Sequence, residues 1–170
     1  MDWQAILSYD PNTGNLIWKP KPDDAKDAKR WNNRYAQKVA GYERPYRNAV
    51  RVYIRVGPRA IAAHNIVWEM HNGPMRPGYL PDHIDGNTLN NRISNLRPAT
   101  RSQNSFNSRT QKRSKSGLKG VRQDRSKKWV ARIMVQGMSI RIGAFNTKGM
   151  AAVARAKAAI RYHGAFARLI

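Results

Sequence analysis

The stretch from Leu80 to Asn107, LPDHIDGNTLNNRISNLRPATRSQNSFN, decides the expected fold of this chain. Gly86 and the polar run Asn87 to Asn91 break regular structure and favour turns, so this part reads as a loop between two short strands. Ile84 and Leu96 are apolar positions that could face one another across that strand pair. Thr100 with Gln103 three residues later is a capping-box pattern, which predicts a helix with Asn104 in its first turns. The expectation is a hairpin and a helix converging on one small polar pocket.

Such a pocket has the parts for phosphodiester hydrolysis. Asp82 supplies a hard carboxylate for a Mg²⁺-like ion and Asn104 a second oxygen, leaving other positions to water and phosphate. His83, adjacent in sequence but on the opposite side of a strand, can take a proton from an attacking water near neutral pH. The helix N-terminus adds partial positive charge where a phosphate would sit. Each signal alone is weak, since an Asp-His pair is usually a turn and Asn beside Gly is usually loop chemistry. Their combination is specific.

In that combination the sequence resembles the HNH endonucleases, in particular the ββα-metal nucleases of phage homing endonucleases, whose pattern reads DHIDGN…NN…NL…T…QN. The resemblance covers roughly residues 61 to 107. It implies His83 as general base, Asp82 and Asn104 as metal ligands, and Asn95 as the residue that braces the hairpin and orients His83. The third letter of the motif, His in many members, is Asn here. The ion implied is a single divalent one, Mg²⁺ first and Mn²⁺ second.

Composition sets wider limits. The chain has 170 residues and no cysteine, so a metal must be held by oxygen and imidazole. Without an apolar run of about 18 residues or a signal-type opening, a soluble, intracellular, non-membrane protein is expected. The net charge is +22, and it is uneven: residues 101–170 hold 17 Lys and Arg against one acid, Asp124, while residues 1–100 hold 15 against nine. A polyanion partner follows, because each neutralised phosphate releases counterions.

Ahead of the motif, Met1 to Pro20 reads as a helical turn and a hairpin, with Leu16-Ile17-Trp18 as a strand. Lys19 to Lys38 reads as a loop or loosely held helix of unexplained role. Ala49 to Val56 alternates as a half-buried strand, with Val50, Val52, Ile54 and Val56 on one face. The arginines of the other face meet water first and phosphate second. From Arg59 to His71 the apolar spacing is helical. His64 and His71, on the flank of that helix, read as packed or capping residues.

After the motif, Ser108 to Gly117 has no apolar residue and reads as a basic linker that would track phosphates through Lys112, Arg113 and Lys115. Beyond it, Leu118 to Arg122, Trp129 to Val135 and Ser139 to Phe145 read as strands and Lys148 to Tyr162 as a helix. Ala131, Ile133, Val135, Ile140 and Ile142 would be buried, leaving Arg122, Arg132 and Arg141 on the open face. SGLKGVRQDRSKKWVARI, RIGAF and GAFARL here resemble the Apetala-two/ethylene-response-factor DNA-binding domain. The resemblance implies DNA-facing positions at Lys119, Gly120, Arg122, Arg132, Met134, Ser139 and Arg141, and a packing role for Trp129. The plant members carry an acid at the position of Arg132 and Trp at that of Arg141, so their target sequence does not carry over.

The expected architecture is α+β. A β-rich N-terminal region and nuclease motif fill 1–107, a basic linker 108–117, and a three-stranded antiparallel sheet on one helix 118–170. The expected function is a metal-dependent, site-directed DNA endonuclease of nicking or homing type, monomeric on double-stranded DNA. The phage resemblance places it in the cytoplasm of an infected bacterium. The alternatives are a non-catalytic DNA-binding regulator with a relic HNH fold and, on charge alone, an RNA-binding protein.

Overall fold

The computed structural model describes residues 1–47, 49–108 and 114–169. The chain divides into two compact units, Met1–Ala99 and Thr100–Ile170.

In the first unit, α1 (Trp3–Ile6) is N-capped by the Asp2 carboxylate and runs into the hairpin of β1 (Leu7–Tyr9) and β2 (Leu16–Trp18). The intervening turn is held by Asp10, whose carboxylate accepts from Asn12 N at 2.9 Å and Thr13 Oγ1 at 2.6 Å. After α2 (Ala28–Tyr35), β3 (Tyr42–Tyr46), β4 (Ala49–Val56) and β5 (Arg59–Ala62) form an antiparallel sheet with β4 in the centre. The expected helix from Arg59 is therefore shorter. Its first four residues pair with β4 instead, and α3 occupies Ala63–Asn72. The β-hairpin turn around Gly57, at φ +59°, sets that pairing.

β6 (Tyr79–His83) and β7 (Leu96–Thr100) make the two-stranded sheet of the motif. Trp3, Leu7, Leu16, Ile54, Ile66, Val67 and Leu96 form one core beneath it. Ile84 does not join Leu96 there: it lies just past β6 and is 45% exposed, while its N–H donates to Asn95 O at 2.9 Å.

The second unit opens with α4 (Arg101–Asn107), whose capping box joins Thr100 and Gln103 reciprocally. By its contacts the second unit begins at Thr100, whereas the sequence reading ends the nuclease domain at Asn107. The reason is a long-range contact: Phe106 stacks flat on His163, with ring centroids 3.8 Å apart. Lys119 Nζ also donates to the Ser105, Phe106 and Ser108 carbonyls at 2.8–2.9 Å, closing the helix end. β8 (Val121–Gln123), β9 (Trp129–Val135) and β10 (Met138–Phe145) form an antiparallel sheet in the order β10-β9-β8. α5 (Lys148–His163) is capped by Thr147 and buries Ala151 and Ala159. Val121, Ala131 and Ala151 centre the core, with Trp129 packed against it as expected. The first strand is shorter than expected because Gly120, at φ +70°, turns the chain.

Two consequences for stability follow. Gly14, at φ +79°, presses on the backbone of the motif loop, where an added Cβ would meet Arg92 N at 2.5 Å and the Asn91 carbonyl carbon at 2.7 Å. Gly14→Ala should cost about 2–4 kcal/mol by urea unfolding, and a neutral result would mean the loop can yield. His64 is buried, and desolvation, helped by His83 and Arg51, pushes its pKa down to about 3. A depressed histidine favours folding above its unfolded value and loses that contribution as pH falls. Between pH 6.5 and about 3, then, His64 should remove roughly 1.4 kcal/mol of stability per pH unit. Unfolding free energies of His64→Leu should fall less steeply with acid than those of the native chain, and parallel slopes would refute this.

Candidate active site and basic face

β6 ends in Asp82 and His83, both buried, at 4% and 5% exposure. Adjacent strand residues point to opposite sides, and the two side chains accordingly meet different partners. Asp82 Oδ2 accepts from Arg97 Nε and Nη2, each at 3.0 Å, in a bidentate ion pair from the neighbouring strand β7. His83 Nε2 donates to Asn91 Oδ1 at 3.0 Å. The neutral ring then carries its lone pair on Nδ1. Burial lowers the His83 pKa; the Asn91 bond and the Asp82 charge work against this, and Arg51 adds to it. The net direction favours the neutral imidazole that a general base requires.

Asn91 comes from the loop between β6 and β7, which has no regular structure to hold it. Asn95 supplies the fastening. Its Oδ1 accepts from Asp85 N at 3.1 Å, and its Nδ2 donates to Asp85 Oδ1 at 3.0 Å and Asn90 O at 2.9 Å. Asp85 also accepts from Asn87 N and Asn90 Nδ2. Partial burial raises the Asp85 pKa, but the bonds from Asn90, Asn87 and Asn95 outweigh it and leave the carboxyl below its usual range. Asn95 thus ties Asp85 and Asn90 together, while the direct bond to His83 belongs to Asn91. The asparagine run held that answer, but spacing does not say which amide reaches the ring.

Three further side chains complete the surroundings. His64 of α3 meets His83 edge to face, with centroids 5.0 Å apart. Arg51, on the arginine face of β4, bears electrostatically on both histidines, and its Nε is buried without a hydrogen-bond partner among the described residues. The turn of β1 and β2 secures the far end of the loop, with Arg92 Nε donating to Asn12 O at 2.6 Å and Ile93 N to Tyr9 Oη at 2.8 Å.

Asn104 lies in α4, in the second unit. In that unit, pairing across the sheet places Arg122 opposite Val130, and Arg132 opposite Arg141. Since residues two apart on a strand share a face, the three arginines stand on one side, as do Met134 and Ser139. Arg122 and Arg141 are exposed, and Arg132 is half-buried with Nε unpartnered among the described residues. Lys119 differs from expectation. Its ammonium caps α4, and burial, with Arg155 and Arg168 nearby, lowers its pKa to about 8. Gly120 is a packing glycine: its carbonyl accepts from Arg132 N at 2.7 Å, and a Cβ would meet Arg132 O at 2.3 Å. Lys115 is exposed, and Lys112 and Arg113 lie outside the described residues.

No solved structure matches the chain. It is 42% identical over 80 residues to Protein 3.8 of Escherichia phage T7, covering 46% of this chain and 66% of that protein. It is 44% identical over 71 residues to an uncharacterized HNH endonuclease of Acanthamoeba polyphaga mimivirus, covering 42% of this chain and 36% of that protein. The chain thus spans less than two thirds of either relative. The family model for the HNH endonuclease matches residues 62–106, from the end of β5 to α4, so this chain carries an HNH endonuclease domain over that segment.

Proposed function

We propose that this protein is a metal-dependent, site-directed DNA endonuclease that nicks double-stranded DNA. The observation that carries the reading is the His83–Asn91 hydrogen bond beside the buried Asp82, inside the matched segment. Neutral His83 accepts a proton from water at Nδ1 as the water oxygen attacks phosphorus in line. The P–O3′ bond breaks and the leaving O3′ takes a proton from solvent, giving 5′-phosphate and 3′-hydroxyl ends. Asn91 holds the ring in one tautomer throughout. Arg51 Nε is a buried donor without an acceptor among the described residues, and a phosphate oxygen would satisfy it.

The donor chemistry suits a hard divalent ion. Asp82 and Asp85 are carboxylates whose charge bears on His83. That set matches Mg²⁺, or Mn²⁺ in its place, which keeps several waters and takes one or two protein oxygens. Asp82 is the proposed carboxylate ligand within the first unit. When bound, the ion supplies charge stabilisation at the scissile phosphate and the leaving oxygen. One such site per chain favours nicking. The arginine face of the second unit serves as the recognition surface, where guanidinium groups can read guanine edges. A binding-only regulator is not favoured, because it would have no use for a neutral, oriented His83.

Incubating the purified protein with supercoiled plasmid bearing phage DNA, in Mg²⁺ or EDTA, tests the proposal. Relaxed circles at discrete sites should form only with metal, and His83→Ala should slow them by about 10²–10⁴-fold without loss of duplex binding. Asn91→Ala should slow cleavage about 10–100-fold at unchanged affinity. A plasmid that is retarded but never cut would end the enzymatic reading. On the second unit, Arg132→Ala and Arg141→Ala should each weaken binding to the cleaved site by about 1–3 kcal/mol in fluorescence anisotropy. Equal losses on unrelated duplex would remove their role in sequence recognition.

A further inference from the structure

The first unit holds a second recess that the hydrolytic site does not use. It is a cleft of about 830 Å³ whose walls include Trp18, Trp31, Tyr35 and Tyr42. Trp18 and Trp31 meet edge to face at 5.5 Å, and Tyr35 continues the row 5.5 Å from Trp31. The rings stand on a braced frame. Asn32 of α2 ties down the entering loop, accepting from Lys21 N at 2.7 Å and donating to Lys21 O at 3.0 Å. Trp18 is held to the following segment by Gln37 N to Trp18 O at 2.8 Å and Trp18 N to Lys38 O at 3.0 Å.

The rim is cationic. Lys19, Lys21 and Arg55 line the cleft, and none of its described lining residues is acidic; Asp23, Asp24 and Asp27 follow in the loop beyond Pro22. Lys21 Nζ lies 5.3 Å from the Trp31 ring centroid. An apolar peptide would match the rings but desolvate three cations. A nucleotide uses both features, since its base stacks and its phosphate meets the ammonium and guanidinium groups. β4 also links this cleft to the hydrolytic site: Arg51 bears on His83, and Arg55, on the same strand face, lines the cleft. Four residues of strand span about 14 Å.

We propose that this cleft binds single-stranded DNA, stacking unpaired bases on Trp18, Trp31 and the two tyrosines while Lys19, Lys21 and Arg55 neutralise the flanking phosphates. Its nearness to the cut strand rests on the hydrolytic reading of His83; the binding itself does not. This accounts for the Lys19 to Lys38 segment, whose sequence shows no role of its own.

The test uses full-length His83→Ala protein in EDTA, so that cleavage plays no part. Anisotropy of a labelled oligo-dT of about 12 nucleotides is compared with that of a labelled duplex, at ~0.3 M salt to suppress non-specific phosphate binding. Adding Trp31→Ala should weaken single-strand binding about tenfold and leave duplex binding within about twofold, while Trp31→Phe restores most of the loss. The pair Lys21→Ala with Arg55→Ala, neither of them a buried core residue, should weaken the single strand selectively as well. Equal losses on single strand and duplex, no loss in either variant, or a loss confined to oligo-U RNA would each overturn the proposal.

Discussion

Burial of His83 is the constraint from which the N-terminal unit follows. A desolvated imidazole must be neutral, and its one N–H must find an acceptor, because an unsatisfied buried donor costs about 1–3 kcal/mol. Asn91 is that acceptor, yet it sits on a loop with no backbone ladder to hold it. The loop is therefore fastened from two directions. Asn95 and Asp85 lock it from within, and the β1–β2 turn, closing on Arg92 and Ile93, locks it from outside. Gly14 permits that closeness because it alone has no Cβ to collide with the loop.

The same burial explains the surrounding charges. Asp82 enters the interior only with Arg97 gripping it through two nitrogens, as a buried carboxylate must be paired. Arg51 pushes His83 toward its neutral form, and the second buried histidine, His64, is itself held neutral by burial. The electrostatics and the packing thus favour one protonation state, the one able to accept a proton.

In the second unit the design problem is different: residues 101–170 carry most of the chain's net positive charge, 17 Lys and Arg against one acid, around a small sheet and helix. The sheet separates the two demands by strand parity. Ala131 and Ile133 go to the core beneath α5, while Arg122, Arg132 and Arg141 go to the other face, where like charges stand opposed across β9 and β10. Such an arrangement is unfavourable alone and favourable against a polyanion. Lys119 shows the limit of reasoning from charge, since its ammonium is spent on the carbonyls that end α4.

Much of this was legible in the sequence because it depends on local chemistry. Period-two alternation marked β4 and β9, the Thr100–Gln103 capping box marked α4, and the Asp-His pair with its asparagines marked the candidate site. Those signals report what a residue prefers within a few neighbours. Local preference could not show that Asn91 reaches His83, that Arg97 grips Asp82, or that Arg59–Ala62 pairs with β4 before the helix begins. Nor could it join Trp18 to Trp31 and Tyr42 around one cleft, or draw α4 into the second unit through Phe106 and His163. The sequence by itself determined the elements, the charge and the chemical parts. The tertiary structure alone decided which parts meet, because those choices rest on burial and on contacts between residues far apart in the chain.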